Sequence, residues 1–168
     1  RELASQGTRI NDPGNPGKFY LCGKGISRFS PMTANATETL LQIRENDSKR
    51  MCEMARRLRE YFAAQGVAIA LNDEDLIRKI AARYGVRSET VVLQERHLAH
   101  AFQEELFDLI DIAPRAERLK DLISDPARAD DAIYVQNQIR SQLMKTGKPA
   151  FVEEEYVSFE QARTLVLE

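Results

Sequence analysis

Residues 50–66 read RMCEMARRLREYFAAQG, and this stretch decides the fold class. Its apolar side chains recur at steps of three and four residues, which is the period of a helix buried along one face. The same period extends upstream, and the full apolar face is Leu40, Ile43, Met51, Met54, Leu58 and Phe62. Gly66 is a typical residue just past a helix end. The pattern predicts one long helix from about Thr33, or two helices with a break near Asn46.

The sequence that follows repeats this kind of signal. Polar capping residues precede apolar periodic stretches, and glycine or proline follows them. The helices expected here run from Asn72 to Gly85, from Ser88 to about Ile110, from Ala113-Pro114 onward, from about Ala129 to Lys145, and from the capping box Ser158–Gln161 onward. Their buried faces are predicted to include Leu76, Ile77, Ile80, Tyr84, Leu119, Leu122, Ile123, Ile133, Val135, Ile139, Leu143 and Met144. Residues 148–156 are predicted to be extended.

The first thirty residues follow a different pattern. Residues 11–17 are almost all turn formers, and they precede residues 19–22, a short apolar run with glycines nearby on both sides. This predicts a loop that leads into one strand. The strand needs a partner, because a lone strand leaves its backbone hydrogen bonds unmade. The expected fold class is therefore mainly α, a multi-helix domain with one short N-terminal strand.

The composition is that of an ordinary globular chain. Its 168 residues are 43% hydrophobic and 30% charged, with a net charge of −2. This balance gives no broad basic field for nucleic acid or for anionic membranes. No apolar run approaches the ~20 residues of a membrane span, and Cys22 and Cys52 have neither disulfide-scaffold nor zinc-site spacing. We expect a cytoplasmic protein with no membrane contact and no strong nucleic-acid binding.

The two ends of the chain favour a segment of a larger protein. The chain begins at Arg1 without an initiator Met and stops at Leu167-Glu168, inside a predicted helix. Leu-Glu is also a common remnant before an expression tag, so these two residues are not necessarily native.

Two local patterns resemble known binding sites, one for a metal ion and one for phosphate. His97, His100 and Glu104 share adjoining parts of one helix face, where side chains three and four residues apart approach a common metal ion. The chain has only two histidines, so a metal site would lack further ligands. The preferred interpretation is that both are helix-surface histidines near a carboxylate. Residues 17–25 superficially resemble a phosphate-binding loop, but the spacing is one residue too long and Gly25 replaces the Ser or Thr that holds magnesium. A strand with glycine ends is preferred.

Several short motifs resemble one enzyme family. Residues 147–152, GKPAFV, and residues 158–166, SFEQARTLV, are similar to a junction G-x-P-A-Y-V followed by s-x-E-E-A-x-x-L-I. This junction is found in metal-dependent phosphoesterases of the polymerase and histidinol phosphatase (PHP) family, and Phe151 departs from it where the family has Tyr. Residues 96–99, RHLA, resemble the R-H-[hydrophobic]-A turn of the helical insertion in that family, and residues 50–66 resemble the helix that begins the insertion. The likeness covers roughly residues 40–166.

The resemblance implies an architecture and a chemistry. Residues 1–30 would be a loop and strand of a catalytic α/β barrel, 31–147 the helical insertion or cap, and 148–168 an extended return segment and the start of a barrel helix. The complete enzyme would hydrolyse a phosphate ester, such as a nucleotide, with two or three divalent ions (Mn, Zn or Mg). The family's His-x-His pair, Gly-x-Glu and His-Pro have no counterpart here. The segment would therefore carry no catalytic residue, no metal ligand and no cofactor of its own, and its partners would be the barrel and the substrate.

Within the cap, Arg96 and His97 are the residues expected to approach a substrate phosphate, with Lys24 as a weaker candidate. Arginine binds phosphate through two parallel hydrogen bonds, and histidine can donate one. The alternative is that Arg96 pairs with Glu95 or Glu104 on the surface. The alternative for the whole chain is a stand-alone helical module that binds a protein partner through an apolar groove.

Overall fold

The computed structural model describes residues 31–167 of the chain. Within this range the chain is mainly helical, as predicted, and contains no β-strand. The α-helices are α1 (Ala34–Ala64), α2 (Asp73–Tyr84), α3 (Glu95–Leu109), α4 (Ile112–Arg118), α5 (Ala132–Leu143) and α6 (Phe159–Leu167), with 3₁₀ turns at Ser88–Thr90 and Pro126–Arg128. The predicted strand at residues 19–22, Cys22 and Lys24 lie outside the described residues.

Helix α1 is continuous, so the break considered near Asn46 does not occur. It starts where Thr33 Oγ1 accepts a hydrogen bond from the Ala36 amide at 3.1 Å, which satisfies one of the free N–H groups of the first turn. It ends before Gly66, whose φ of +76° lies in the left-handed region that glycine adopts without strain.

Helix α2 has the predicted start and end. The Asn72 side chain accepts a hydrogen bond from the Asp75 amide at 2.8 Å, and Gly85 ends the helix with a φ of +63°. Leu76 and Ile80 are buried as predicted. Tyr84 is not, because it lies in the last turn with 59% of its surface exposed.

The helix predicted from Ser88 begins seven residues later, at Glu95. Residues 88–90 form only a 3₁₀ turn, and residues 91–94 have no regular secondary structure. Val91 and Val92 are β-branched and lose side-chain freedom in a helix. Leu93 is buried in the core from this irregular segment, so burial here does not follow the predicted helical period.

The boundaries of α4 and α5 also differ from the prediction. Leu119, Leu122 and Ile123 are buried as predicted, but they follow the end of α4 at Arg118. Helix α5 starts at Ala132 rather than Ala129, because the Asp131 side chain caps it by accepting a hydrogen bond from the Tyr134 amide at 3.0 Å. Ile133 was predicted to be buried, yet it faces solvent with 66% of its surface exposed.

The last helix confirms its predicted capping box. The Ser158 amide donates to Gln161 Oε1 at 2.9 Å, and the Gln161 amide donates to Ser158 Oγ at 3.2 Å. Each side chain thus satisfies a backbone N–H of the other residue. The segment before it, residues 151–158, has no regular secondary structure.

The core lies around α3, which packs against α1, α2 and α5. Phe102 of α3 stacks on Phe62 of α1 with ring centroids 6.2 Å apart. The residues buried on α3 are Leu98, Ala99, Ala101, Phe102, Gln103 and Leu106. Helix α5 contributes Val135, Ile139 and Leu143 to the same cluster. Burial of this continuous apolar surface is the main favourable term in folding.

Arg115 is a buried charge that sequence periodicity did not predict. Only 6% of its surface is exposed, and its guanidinium lies 4.0 Å from the centre of the Phe107 ring. It donates to the Ile110 carbonyl (2.9 Å) and the Phe107 carbonyl (3.2 Å) at the end of α3, and to the Asp130 carboxylate. Arg115 therefore satisfies carbonyls that a helix end leaves without partners.

The chain forms two compact units. One is Arg44–Glu155, and it contains the core described above. The described residues of the other are 31–43 and 156–167, so α1 has its first residues in one unit and the rest in the other. The predicted domain boundaries at residues 30 and 147 refer to a larger barrel and stay a prediction.

Replacing Arg115 with Met should lower the free energy of unfolding by about 2–4 kcal/mol, because the buried Ile110 carbonyl and the partly buried Phe107 carbonyl lose their donor. Chemical denaturation followed by circular dichroism measures this. The matched control is Arg118→Met, since Arg118 donates only one hydrogen bond, to the exposed Gly66 carbonyl, and should cost less than about 1 kcal/mol. Equal effects of the two substitutions would contradict the role assigned to Arg115.

Candidate functional site

The first turn of α3 carries Arg96 and His97, the two described residues that the sequence singled out. Arg96 is exposed. It makes no hydrogen bond or ion pair to any described residue, whereas the alternative interpretation gave it Glu95 or Glu104 as a partner. Consecutive helical residues point about 100° apart. Arg96 and His97 therefore face different neighbours, and only a ligand placed over the edge between them would touch both.

Glu95 is held by two other cations. Its carboxylate accepts hydrogen bonds from Arg50 Nη2 at 3.0 Å and from Lys145 Nζ at 2.8 Å. Burial raises the pKa of Glu95, but the hydrogen bonds from Lys145 and Arg50 outweigh it and lower this pKa below its ordinary value. Glu95 is therefore ionised and already neutralised at neutral pH, and it does not compete for Arg96.

The segment after α5 is fastened to α1 at the same end of the molecule. Arg50 Nε donates to the Val152 carbonyl at 3.0 Å, and its Nη1 lies 3.7 Å from the Glu154 carboxylate. Arg57, two turns further along α1, donates to the Phe151 carbonyl. These bonds join α1, the start of α3 and residues 151–154 into one polar network.

Glu104, the other carboxylate considered for Arg96, is also occupied. Its Oε2 lies 2.6 Å from Arg83 Nη2 and 3.2 Å from Lys79 Nζ, both on α2. Burial raises the pKa of Glu104, and the Lys79 hydrogen bond with the charges of Arg83 and Lys79 lowers it below its ordinary value. The predicted alignment of His100 and Glu104 on α3 is confirmed, with Nε2 and Oε1 3.3 Å apart.

His100 is held as a neutral ring. Its Nδ1 lies 3.0 Å from Arg83 Nη1. Because a guanidinium only donates, Nδ1 must accept, and this network assigns the ring proton to Nε2, toward Glu104. Burial, followed by the charge of Arg83, lowers the pKa of His100. A second proton, on Nδ1, would face the Arg83 donor directly.

His97 lies on the α2 side of the helix. Its ring is 6.2 Å from the ring of Tyr84, and its Nδ1 is shielded from solvent without a hydrogen-bond partner among the described residues. Burial, followed by the charges of Arg96 and Arg83, lowers the pKa of His97. A hydrogen bond to the Val92 backbone raises this pKa, but burial and the two charges outweigh it, so the imidazole is neutral at neutral pH.

The family resemblance implies a metal centre in the barrel, so the metal-binding pattern at issue within this chain is that of His97, His100 and Glu104. No group of three or more His, Cys, Asp or Glu side chains in residues 31–167 is placed to hold an ion. In the predicted group of His97, His100 and Glu104, the cations Arg83 and Lys79 take up the Glu104 carboxylate and one ring nitrogen of His100. A metal ion would have to displace them.

Arg140 on α5 is a residue that sequence reasoning missed. Within residues 31–167, the side chain of every arginine other than Arg44, Arg96 and Arg140 binds a carboxylate, a carbonyl or a histidine nitrogen. Arg44 and Arg96 are exposed. The Nε of Arg140 is instead shielded from solvent. No sequence pattern distinguishes a paired from an unpaired arginine, so only the contacts in the fold reveal this.

An apolar cleft lies at the opposite end of α3. Its volume is about 520 Å³, and it is lined by Gly66, Val67, Ala68, Leu109, Ile110, Asp111, Pro114 and Arg118. Leu109 and Ile112 at this corner expose 53% and 69% of their surface. The alternative of a protein-interaction module would use such a surface, and it stays a prediction.

The two histidines should make the fold sensitive to mild acid. Both pKa values are lowered from 6.5 in the folded chain, so the unfolded chain binds these protons more tightly. Their contribution is complete above pH 6.5 and is lost as the pH falls toward the folded pKa values. The melting temperature should drop between pH 7.5 and 5.5, and less so in His100→Gln, because glutamine does not titrate. A drop of the same size in His97→Gln/His100→Gln would contradict this, since ordinary carboxylates titrate at lower pH.

Comparison with known proteins identifies no relative of this chain. No protein-family model, curated protein or solved structure matches the chain. Among the described residues, no helix is both long enough and apolar enough to cross a bilayer.

Proposed function

We propose that this chain is the helical cap region of a PHP-type metal-dependent phosphoesterase. It shapes access to the active site and binds the phosphate of an ester or nucleotide substrate, while the divalent ions and the catalytic barrel belong to other parts of the same enzyme. Arg96 is the principal phosphate ligand, with His97 and Lys24 as further ligands. The observation that carries the proposal is the unpaired, exposed guanidinium of Arg96 in the motif that resembles the family.

Several features of the site suit phosphate binding. A guanidinium gives two parallel hydrogen bonds to a phosphate, and Arg96 has no protein acceptor to release first. The nearby carboxylates Glu95 and Glu104 are each neutralised by two other cations, so they repel an incoming anion less. The neutral His97 ring carries one N–H, and it would exchange its hydrogen bond to the Val92 backbone for one to the phosphate. A cap that closes over a substrate also excludes water from the reaction.

Arg96→Ala in the complete enzyme should raise KM for a phosphate ester about tenfold or more, because a charge-assisted contact to the substrate is lost. Steady-state kinetics with the same metal ion for each variant measures this. Arg44→Ala is the matched control, since Arg44 is also exposed and unpaired but lies on α1. Unchanged KM and kcat in Arg96→Ala would remove the proposed role of Arg96.

Residues 1–168 alone should release no phosphate from nucleotide substrates when Mn²⁺ or Zn²⁺ is added. The reason is that the family's metal ligands have no counterpart in this sequence, and a phosphoesterase of this type needs its ions to activate water. A colorimetric phosphate assay on the purified chain checks this. Sustained turnover would contradict the assignment of this chain as a cap.

A further inference from the structure

Helices α3 and α5 pack antiparallel, and two polar pairs fix their register. Gln136 Nε2 donates to Gln103 Oε1 at 2.9 Å, and Lys145, just beyond α5, donates to Glu95 at 2.8 Å. Residue numbers therefore increase along α5 in the direction in which they decrease along α3. In this register residue 140 lies opposite Ala99.

The register brings Arg140 and Arg96 to the same rim of the α3–α5 interface. Arg140 lies one turn after Gln136 on α5, and Arg96 lies two turns before Gln103 on α3. Each arginine therefore lies on the same side of its helix as the glutamine. With a rise of 1.5 Å per residue, their backbones are offset by only about 4–5 Å along the helices. Adjacent helix axes lie about 8–10 Å apart. Two arginine side chains at this separation can reach one ligand between them.

Neither arginine has an acceptor in the described part of the chain. Arg96 is exposed, and the Nε of Arg140 is shielded from solvent. A shielded N–H without an acceptor costs free energy in the folded protein, and the cost is larger for a charged group. An oxyanion at the rim would supply acceptors to both guanidinium groups.

The surroundings of the rim favour an anion over a cation. His100 lies one turn after Arg96, and its Nδ1 already accepts from Arg83. The carboxylate nearest this end, Glu95, is bound by Arg50 and Lys145. On the α2 side of the same helix, burial and then the charges of Arg96 and Arg83 lower the pKa of His97.

We propose that Arg96 and Arg140 form a two-arginine clamp for a single phosphate group at the α3–α5 rim. The clamp rests on the proposed function, since it adds Arg140 as a second ligand at the Arg96 site. Each guanidinium contributes hydrogen bonds to the phosphate oxygens, and together they neutralise a dianion. The ligand is a phosphate monoester or inorganic phosphate rather than a carboxylate, because a tetrahedral phosphate offers acceptors on two sides at once.

The test is phosphate binding by the chain itself, measured by calorimetric titration with inorganic phosphate at low salt. Arg96→Gln and Arg140→Gln should each weaken binding about tenfold, while the control Arg44→Gln, which removes the same charge elsewhere, should leave it unchanged. The melting temperature of Arg140→Gln should stay level or rise, because a shielded Nε–H without an acceptor is removed. Phosphate should also shift the Nε–H resonances of Arg96 and Arg140 in ¹⁵N spectra of the unaltered chain, whatever the variants do.

The outcomes separate the clamp from the proposed function. If Arg96→Gln weakens binding and Arg140→Gln does not, the clamp is overturned and Arg96 remains the ligand. If Arg44→Gln weakens binding as much as the other two, binding follows total charge and the clamp is overturned. If the unaltered chain binds no phosphate at millimolar concentration, the clamp is also overturned, while the KM of Arg96→Ala in the complete enzyme still tests the proposed function.

Discussion

The burial of α3 among three other helices is the constraint on which the rest of the structure depends. Its apolar residues occupy the faces toward α1, α2 and α5, so its charged residues are confined to the edges where two helices meet. At those edges two carboxylates meet cationic side chains from other parts of the fold, whereas Arg96 meets no acceptor among the described residues. Glu104 meets Arg83 and Lys79, and Glu95 meets Arg50 and Lys145. The packing of α3 thus gives both carboxylates other partners and leaves Arg96 without one in the described part of the chain.

Local signals predicted much of the fold because they depend on neighbouring residues alone. The Asn72 cap, the glycine ends and the Ser158–Gln161 box are short-range hydrogen-bond patterns that the sequence specifies directly. The predicted start of α3 is too early. Leu93 is buried although it lies in an irregular segment before the helix, and the spacing of apolar residues does not reveal burial of this kind. The predicted burial of Tyr84 and Ile133 is wrong. The apolar period gives the buried face of a helix, but it does not show how far along that face the neighbouring helix extends.

The candidate site was predictable only in part. The motif at residues 96–99 directed attention to Arg96 and His97, but it gave no partner for either. Whether Arg96 is free depends on Arg50 and Lys145, which lie about fifty residues away along the chain on either side and take up Glu95. Arg140 has no motif at all, and it gains meaning only from the antiparallel register of α3 and α5. Long-range pairing of this kind is set by tertiary structure.

Arg50 and Arg57 of α1 donate hydrogen bonds to the carbonyls of residues 152 and 151. This holds the exit of the Arg44–Glu155 unit close to its entry, since both arginines lie within a few turns of the start of that unit. A body whose two ends lie side by side can be spliced into a loop of another protein without stretching the host. The apolar core lies between Met51 and Ala150, inside the unit, so such a splice would leave the core residues together.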